Sequence, residues 1–289
     1  MGIHFQEVRF SYMQSSRKKR NLLYVVEGAN INIKANDEFI AILGHTGSGK
    51  STLVQLMNAL LIPIEGKVTV CGSEITPKKQ PKLKPIRKKV GLVFQFPEYQ
   101  LFEESVLKDI AFGPKNFGKT LEEANEDALY SAKLVKIDPS ILNKSPFALS
   151  GGQMRKVAIA GILASNPDIL IFDEPTVGLD PLAKKELLSL LKDLNEQHKS
   201  IIIITHDMDV VSAVAKRVIV MDSGNIVYDG SKEELFNNKE FIKEHSLDTP
   251  TIIKIMEYLK QETGLEINTT QFSIDEAYQE LLRVINNER

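Results

Sequence analysis

Nine consecutive residues, Gly44-His45-Thr46-Gly47-Ser48-Gly49-Lys50-Ser51-Thr52, combine glycines, hydroxyls and a lysine at the spacing G-x-x-x-x-G-K-[ST]. Such a loop suits phosphate. Gly44, Gly47 and Gly49 admit backbone conformations closed to residues with a Cβ and let the chain come close to an anion. Successive N–H groups of the loop form a concave nest, and a helix starting at Lys50 points its positive end into it. Lys50 supplies a point charge for the β- and γ-phosphates of a nucleotide, and the Ser51 hydroxyl is placed to ligate Mg2+.

Two further groups could complete a reaction. Asp173 and Glu174 end the apolar run Ile169-Leu170-Ile171-Phe172. An acid at the C-terminal end of a buried strand is where a phosphate-binding enzyme holds a second Mg2+ contact, the role read for Asp173. Glu174, next in the chain, would lie near the γ-phosphate and could orient and deprotonate an attacking water. In Leu149-Ser150-Gly151-Gly152-Gln153, Ser150 reads as an N-cap and Gln153 as its capping-box partner. Gly151 and Gly152 then leave N–H groups open at the start of a helix, a second anion-binding terminus.

The surrounding pattern supplies the elements that must hold these groups. Phe39–Leu43, Val90–Phe94, Asp168–Asp173 and Ser200–Thr205 read as buried strands, with Gln95 ending the second. Leu53 to Ile62 reads as a helix stopped by Pro63, and Pro181 to His198 as an amphipathic one. Strands separated by helices imply right-handed crossovers and a mostly parallel sheet. Ile3 to Phe10 and Ala29 to Lys34 alternate as half-buried antiparallel strands, joined through a solvated loop at Ser15–Arg20. Lys67 to Cys71 is a further short strand, with Cys71 buried and inert; Thr76 to Lys89, rich in proline and lysine, is a surface loop. From Phe96 to Ala164 the texture is helical, with a capping box at Thr120 and Glu123. Val218 to Asp229 is a hairpin turning at Ser223-Gly224-Asn225. After Ser231 only helices follow, with starts at Ser231, at Thr249-Pro250 as N-cap and first-turn proline, and at Ser273.

Composition narrows the partners. A net charge of −2 over 289 residues argues against nucleic acid, and a single cysteine fits a reducing compartment. No apolar run approaches the roughly twenty residues needed to cross a bilayer, so a membrane role must come through a partner.

With these motifs in order, the sequence resembles the ATP-binding cassette (ABC) ATPases from about Ile3 to His245. The resemblance implies a P-loop NTPase of the α/β class: a RecA-like, mostly parallel core, an antiparallel β subdomain, and an inserted α-helical subdomain at about 96–165. The nucleotide-binding domain spans 3–246, and a C-terminal helical extension at 247–289 offers a dimerisation surface. It implies ATP and Mg2+ as ligands, and two cassettes meeting head to tail so that each ATP lies between one P-loop and the other cassette's Ser150–Gln153 segment. Tyr12 matches the aromatic that stacks on adenine, and Gln95 the glutamine that senses Mg2+ and the attacking water. Asp180, in Gly178-Leu179-Asp180, matches the loop crossing the dimer interface, and His206 the histidine that contacts the γ-phosphate. No arginine finger is evident; the other cassette's Ser150 and glycine amides take that role.

Finer features are similar to the ATPase subunits of energy-coupling factor (ECF) transporters, importers of vitamins or transition-metal ions. They are Val93-Phe94-Gln95-Phe96-Pro97-Glu98-Tyr99-Gln100-Leu101-Phe102, Asp109-Ile110-Ala111-Phe112-Gly113-Pro114, and the tail after Asp248-Thr249-Pro250. The Phe-Pro-Glu following Gln95 is more similar to the second of the two paired ATPases. The resemblance implies a heterodimer with a paralogous cassette on the cytoplasmic side of the cell membrane. An integral membrane coupling subunit would dock near Phe96, Glu98 and Tyr99, and a separate membrane protein would bind the solute. An ATPase of a binding-protein-dependent importer or of an exporter, and a soluble non-transport ABC ATPase, are the alternatives.

Overall fold

A computed structural model describes residues 2–13 and 23–287; the loop expected at Ser15–Arg20 lies outside them. Two sheets make the frame. The smaller is antiparallel, in the order β2-β1-β4-β5, from β1 (Gly2–Phe10), β2 (Val26–Lys34), β4 (Glu65–Val70) and β5 (Ser73–Ile75). The larger has the order β10-β9-β3-β8-β7-β6, from β3 (Phe39–Leu43), β6 (Val90–Val93), β7 (Ile169–Asp173), β8 (Ser200–Ile204), β9 (Arg217–Asp222) and β10 (Asn225–Ser231). Five of its strands run parallel and only β10 is reversed, as the crossovers require.

The apolar runs become the centre of this sheet because both of its faces are covered. Alternate residues of one strand enter different cores. Ile40 and Ile42 of β3, with Ile202 and Ile204 of β8, face a core shared with the antiparallel sheet and helix α1 (Lys50–Met57). Phe39, Ala41 and Leu43, with Ile201, Ile203 and Phe172, face a core shared with helices on the other side. Those helices include α3 (Val106–Asn116), α4 (Leu121–Leu134) and α5 (Gly151–Leu163) of the inserted segment, together with α6 (Pro181–Glu196) and α7 (Met208–Val214). Helix α2 (Leu83–Lys89) packs Ile86 into the first of these cores, against β6. The short α8 (Lys232–Asn237) and α9 (Lys239–Glu244) lead to α10 (Thr251–Thr263) and α11 (Ile274–Asn287), which enclose a small core of Met256, Ile267, Ala277 and Val284.

Local expectations are corrected in four places. The P-loop helix ends at Met57, because Ala59 turns to φ 58° and leaves Pro63 outside any helix. The lysine- and proline-rich stretch contains α2, held by the buried Ile86 and by Arg87 donating to the Ala59 carbonyl. Cys71 lies past the end of β4 at φ 47° and is half-buried; burial pushes its thiol pKa up. Finally, α10 begins one residue later than expected, with Pro250 in the cap position and no side chain capping it.

Candidate functional site

Strand register gathers the predicted residues. Ile42 pairs with Ile204, Ile204 with Asp173, and Phe172 with Val93 across four adjacent parallel strands. Gly44, His206, Glu174 and Gln95 each follow within two residues of that line. They therefore emerge together at the carboxyl edge of the sheet, where open α/β sheets bind ligands.

The loop after β3 is shaped by glycine at two points. Gly44 sits at φ 138°, and a Cβ there would lie 2.1 Å from the Met221 carbonyl oxygen. Gly49 caps α1 at φ 103°, where a Cβ would lie 2.4 Å from the Val25 carbonyl oxygen. Gly47, at φ 84°, has open space beyond it, and neighbouring Ser48 has a buried hydroxyl with no hydrogen-bond partner. Lys50 folds over its own loop, donating to the carbonyls of Gly44 at 2.8 Å and His45 at 2.9 Å. Burial lowers its pKa against the raising pull of Glu174 and Asp173. A phosphate entering the loop would replace those carbonyls as acceptors. Thr46 closes the loop by accepting from the His45 ring at 2.8 Å. Thr52 shares a hydrogen bond of 3.0 Å with the Tyr12 hydroxyl, which fixes an exposed ring beside the start of α1, edge-on to Phe10.

Facing the loop, burial raises the Asp173 carboxyl pKa against a hydrogen bond from Ser51 and the charge of Lys50. These oxygens are hard donors of the kind Mg2+ takes, so the residues present fit the ion; exposed Gln95 adds an amide oxygen at the same edge. Glu174 stands at φ 48°, a conformation rare outside glycine. One of its oxygens, Oε1, contacts His206 Nδ1 at 2.9 Å; the other, Oε2, is buried with no hydrogen-bond partner among the described residues.

On the inserted helices, Ser150 and Gln153 form the predicted capping box, with the Ser150 amide donating to Gln153 Oε1 at 3.0 Å. Gly151 and Gly152 are exposed and have no positive φ, and a Cβ at either would meet nothing within 4 Å among the described residues. Nothing among the described residues requires glycine at either position. Asp180 caps α6 through the amides of Leu182 and Ala183 at 2.9 Å each.

Three residues escaped the sequence reading. Arg155, buried on α5, donates to the carbonyls of Pro175 and Val177 at 2.8 Å each, tying the helix that follows Ser150 to the segment after Glu174. Asp222 ends the apolar run of β9 as Asp173 ends that of β7, a signal visible in the sequence; it takes His45 on one oxygen and His245 on the other. His245, far along the chain, carries no such signal. Of the three residues placed at the docking site, Glu98 differs from exposed Phe96 and Tyr99: a single 3-10 turn at Pro97–Gln100 turns it partly inward. Its Oε2 is buried with no hydrogen bond among the described residues, and its charge opposes the lowering of the Arg155 pKa by burial.

Sheet, loop and helix termini together define a P-loop nucleotide site of cassette type. The profile of the family described as ABC transporter matches residues 26–177, and the chain belongs to that family. It is 45% identical over 289 residues to the energy-coupling factor transporter ATP-binding protein EcfA2 of Clostridium tetani, covering 99% of this chain and 98% of that one. The protein of that name from Enterococcus faecalis is 46% identical, covering 98% and 97%. Among solved structures, cbiO1 of Clostridium perfringens, part of the ABC transporter complex cbiONQ, superposes with a TM-score of 0.71 at 35% identity, covering 88% of this chain and 98% of that one. The dimeric cassette MJ0796 bound to ADP and Pi gives 0.69 at 31% identity, covering 79% and 98%.

Proposed function

We propose that this chain is the ATP-binding and ATP-hydrolysing subunit of an energy-coupling factor importer, acting as one half of a pair of cassettes. One observation carries the pairing: Gly151 and Gly152 face open space in a helical conformation any residue could adopt. Their smallness is best explained by something outside the chain, and the phosphates held by a second cassette's P-loop fit an open helix N-terminus.

In this reading the loop amides and Lys50 hold the β- and γ-phosphates, and Tyr12 carries the adenine. Ser51, Asp173 and Gln95 would hold a Mg2+ ion, which supplies neutralisation of phosphate charge. Glu174 takes a proton from the attacking water; its unpartnered Oε2 is the free acceptor, while His206 holds Oε1. Charge building on the phosphoryl oxygens meets His206 on one side and the partner cassette's Ser150–Gln153 segment on the other. Asp180 shapes the loop between the two cassettes.

The pairing joins this chain to a paralogous cassette, with α10 and α11 adding exposed Ile255, Tyr258, Ile274 and Tyr278 as contact surface. Phe96 and Tyr99, 43% and 85% exposed, offer aromatic anchors to an integral membrane coupling subunit on the cytoplasmic face of the cell membrane. A separate membrane protein would supply the solute, a vitamin or a transition-metal ion. No helix among the described residues is long and apolar enough to cross a membrane. The test is co-expression with the neighbouring membrane subunits and second cassette: a complex whose ATP-driven uptake stops with Glu174→Gln supports the reading, and wild-type uptake by that variant refutes it.

A further inference from the structure

The end of β9 backs the P-loop at three points. The Met221 carbonyl crowds Gly44, the Gly224 amide donates to the Ser48 carbonyl at 3.1 Å, and Asp222 reaches the ring of His45. The third contact decides a protonation state. His45 Nδ1 lies 2.8 Å from the Thr46 carbonyl oxygen, which can only accept. Its Nε2 lies 3.1 Å from Asp222 Oδ1, part of a carboxylate that also accepts from Ser223 Oγ at 2.9 Å and pairs with His245 Nδ1 at 3.0 Å. A carboxylate so loaded stays ionised; these hydrogen bonds, led by that of His245, hold the Asp222 pKa below its ordinary value. Both nitrogens of His45 therefore face acceptors, an arrangement that only the doubly protonated ring satisfies.

We propose that Asp222 holds His45 as an imidazolium at the rim of the phosphate loop, giving the nucleotide phosphates a second cation beside Lys50, with Asp222 as its positioning residue. The two cations sense one another: the Lys50 charge opposes protonation of His45, while the Thr46 carbonyl and Asp222 outweigh it and raise its pKa above 6.5. The charged groups facing His45 are thus Lys50 and Asp222, with Ser223 and His245 acting through Asp222. His245 follows α9 and stacks on Phe241 at 4.3 Å, so the C-terminal part of the chain helps set the charge of the P-loop.

This inference rests on the nucleotide reading of the loop. Its test is ATP binding to the full chain, measured from about pH 6 to about pH 9 for wild type, His45→Gln and Asp222→Asn. Ionisation of ATP itself is common to all three proteins and cancels in the ratios. Wild type should bind about three- to tenfold more tightly than His45→Gln at the acid end, and equally at the alkaline end where the imidazolium is lost. Asp222→Asn should show the same advantage, with its loss displaced to lower pH. A purely structural Asp222 would weaken binding by one factor at every pH, which overturns the proposal, as does a ratio of wild type to His45→Gln that is flat with pH. Failure of wild type to bind ATP at any pH would instead overturn the nucleotide reading itself.

Discussion

The ring of His206 rests on the carboxylate of Glu174, Nδ1 to Oε1 at 2.9 Å, although 32 positions separate them in the chain. The contact uses one carboxylate oxygen and leaves the other buried and free. In the proposed reaction this geometry would let the histidine orient the carboxylate while leaving an acceptor for a water proton.

Glu174→Gln keeps the shape and removes the proposed base. The expected outcome is a fall of about a hundredfold or more in kcat with ATP binding retained. Lys50→Ala, which removes a proposed phosphate contact, should instead weaken ATP binding about tenfold or more. Nucleotide binding and single-turnover hydrolysis separate the two. Turnover by Glu174→Gln near the wild-type rate would exclude Glu174 as the base.

The parts of the site legible in the sequence are those whose chemistry is local. Gly44–Thr52 and Ser150–Gln153 are short-range patterns, and the acids ending β7 follow an apolar run that could only be a buried strand. What stayed hidden depends on distant chain meeting by register or packing. Asp222 between His45 and His245, and Arg155 against the carbonyls of Pro175 and Val177, are set by tertiary placement. The same reason explains α2: Lys84, Pro85, Lys88 and Lys89 conceal a helix whose single buried residue, Ile86, finds its core elsewhere.

The inward turn of Glu98 separates docking from folding. Glu98→Lys would bring a second cation towards the half-buried guanidinium of Arg155 and bury an ammonium where Oε2 now sits, and should cost about 1 kcal/mol or more of stability. Tyr99→Ala, on an exposed ring, should change stability by no more than about 0.5 kcal/mol. It should also reduce co-purification with the membrane coupling subunit about tenfold. Thermal unfolding and quantitative pull-down report the two effects. A Tyr99→Ala chain that assembles normally removes this ring from the docking surface.

Glu280 ties the C-terminal extension together. It accepts from the Arg283 guanidinium at 2.7 Å and from the Asn268 amide at 2.7 Å, which lower its pKa from 4.5 to about 2. Because the folded value is depressed, its contribution is present above 4.5 and drains as pH falls towards about 2. Protection of the α11 amides, measured against the intrinsic exchange rate at each pH, should therefore fall over that interval, and Glu280→Gln should produce the same local loosening at neutral pH while β3 and β8 stay protected. Unchanged exchange of the Asn268 amide in the variant would refute this anchoring role.

Gly152 offers the sharpest division between what the chain needs to fold and what the pair of cassettes needs to work. Glycine within a helix is less favourable than alanine by about 0.5–1 kcal/mol, and a Cβ at Gly152 would meet nothing within 4 Å among the described residues. Gly152→Ala should thus leave the isolated protein folded and as stable as wild type or slightly more so. Gly44→Ala should do the opposite, since its Cβ would strike the Met221 carbonyl at 2.1 Å from a backbone at φ 138°. In the proposed pair the added methyl of Gly152→Ala would stand where the second cassette's γ-phosphate is inferred to approach the helix amides. ATPase activity of the complex should then fall by about a hundredfold, the scale of losing an oriented donor at developing charge. Unfolding curves of the single chain, set beside turnover of the complex, give both readouts. A variant that is stable and fully active would mean that no phosphate is held at this helix terminus.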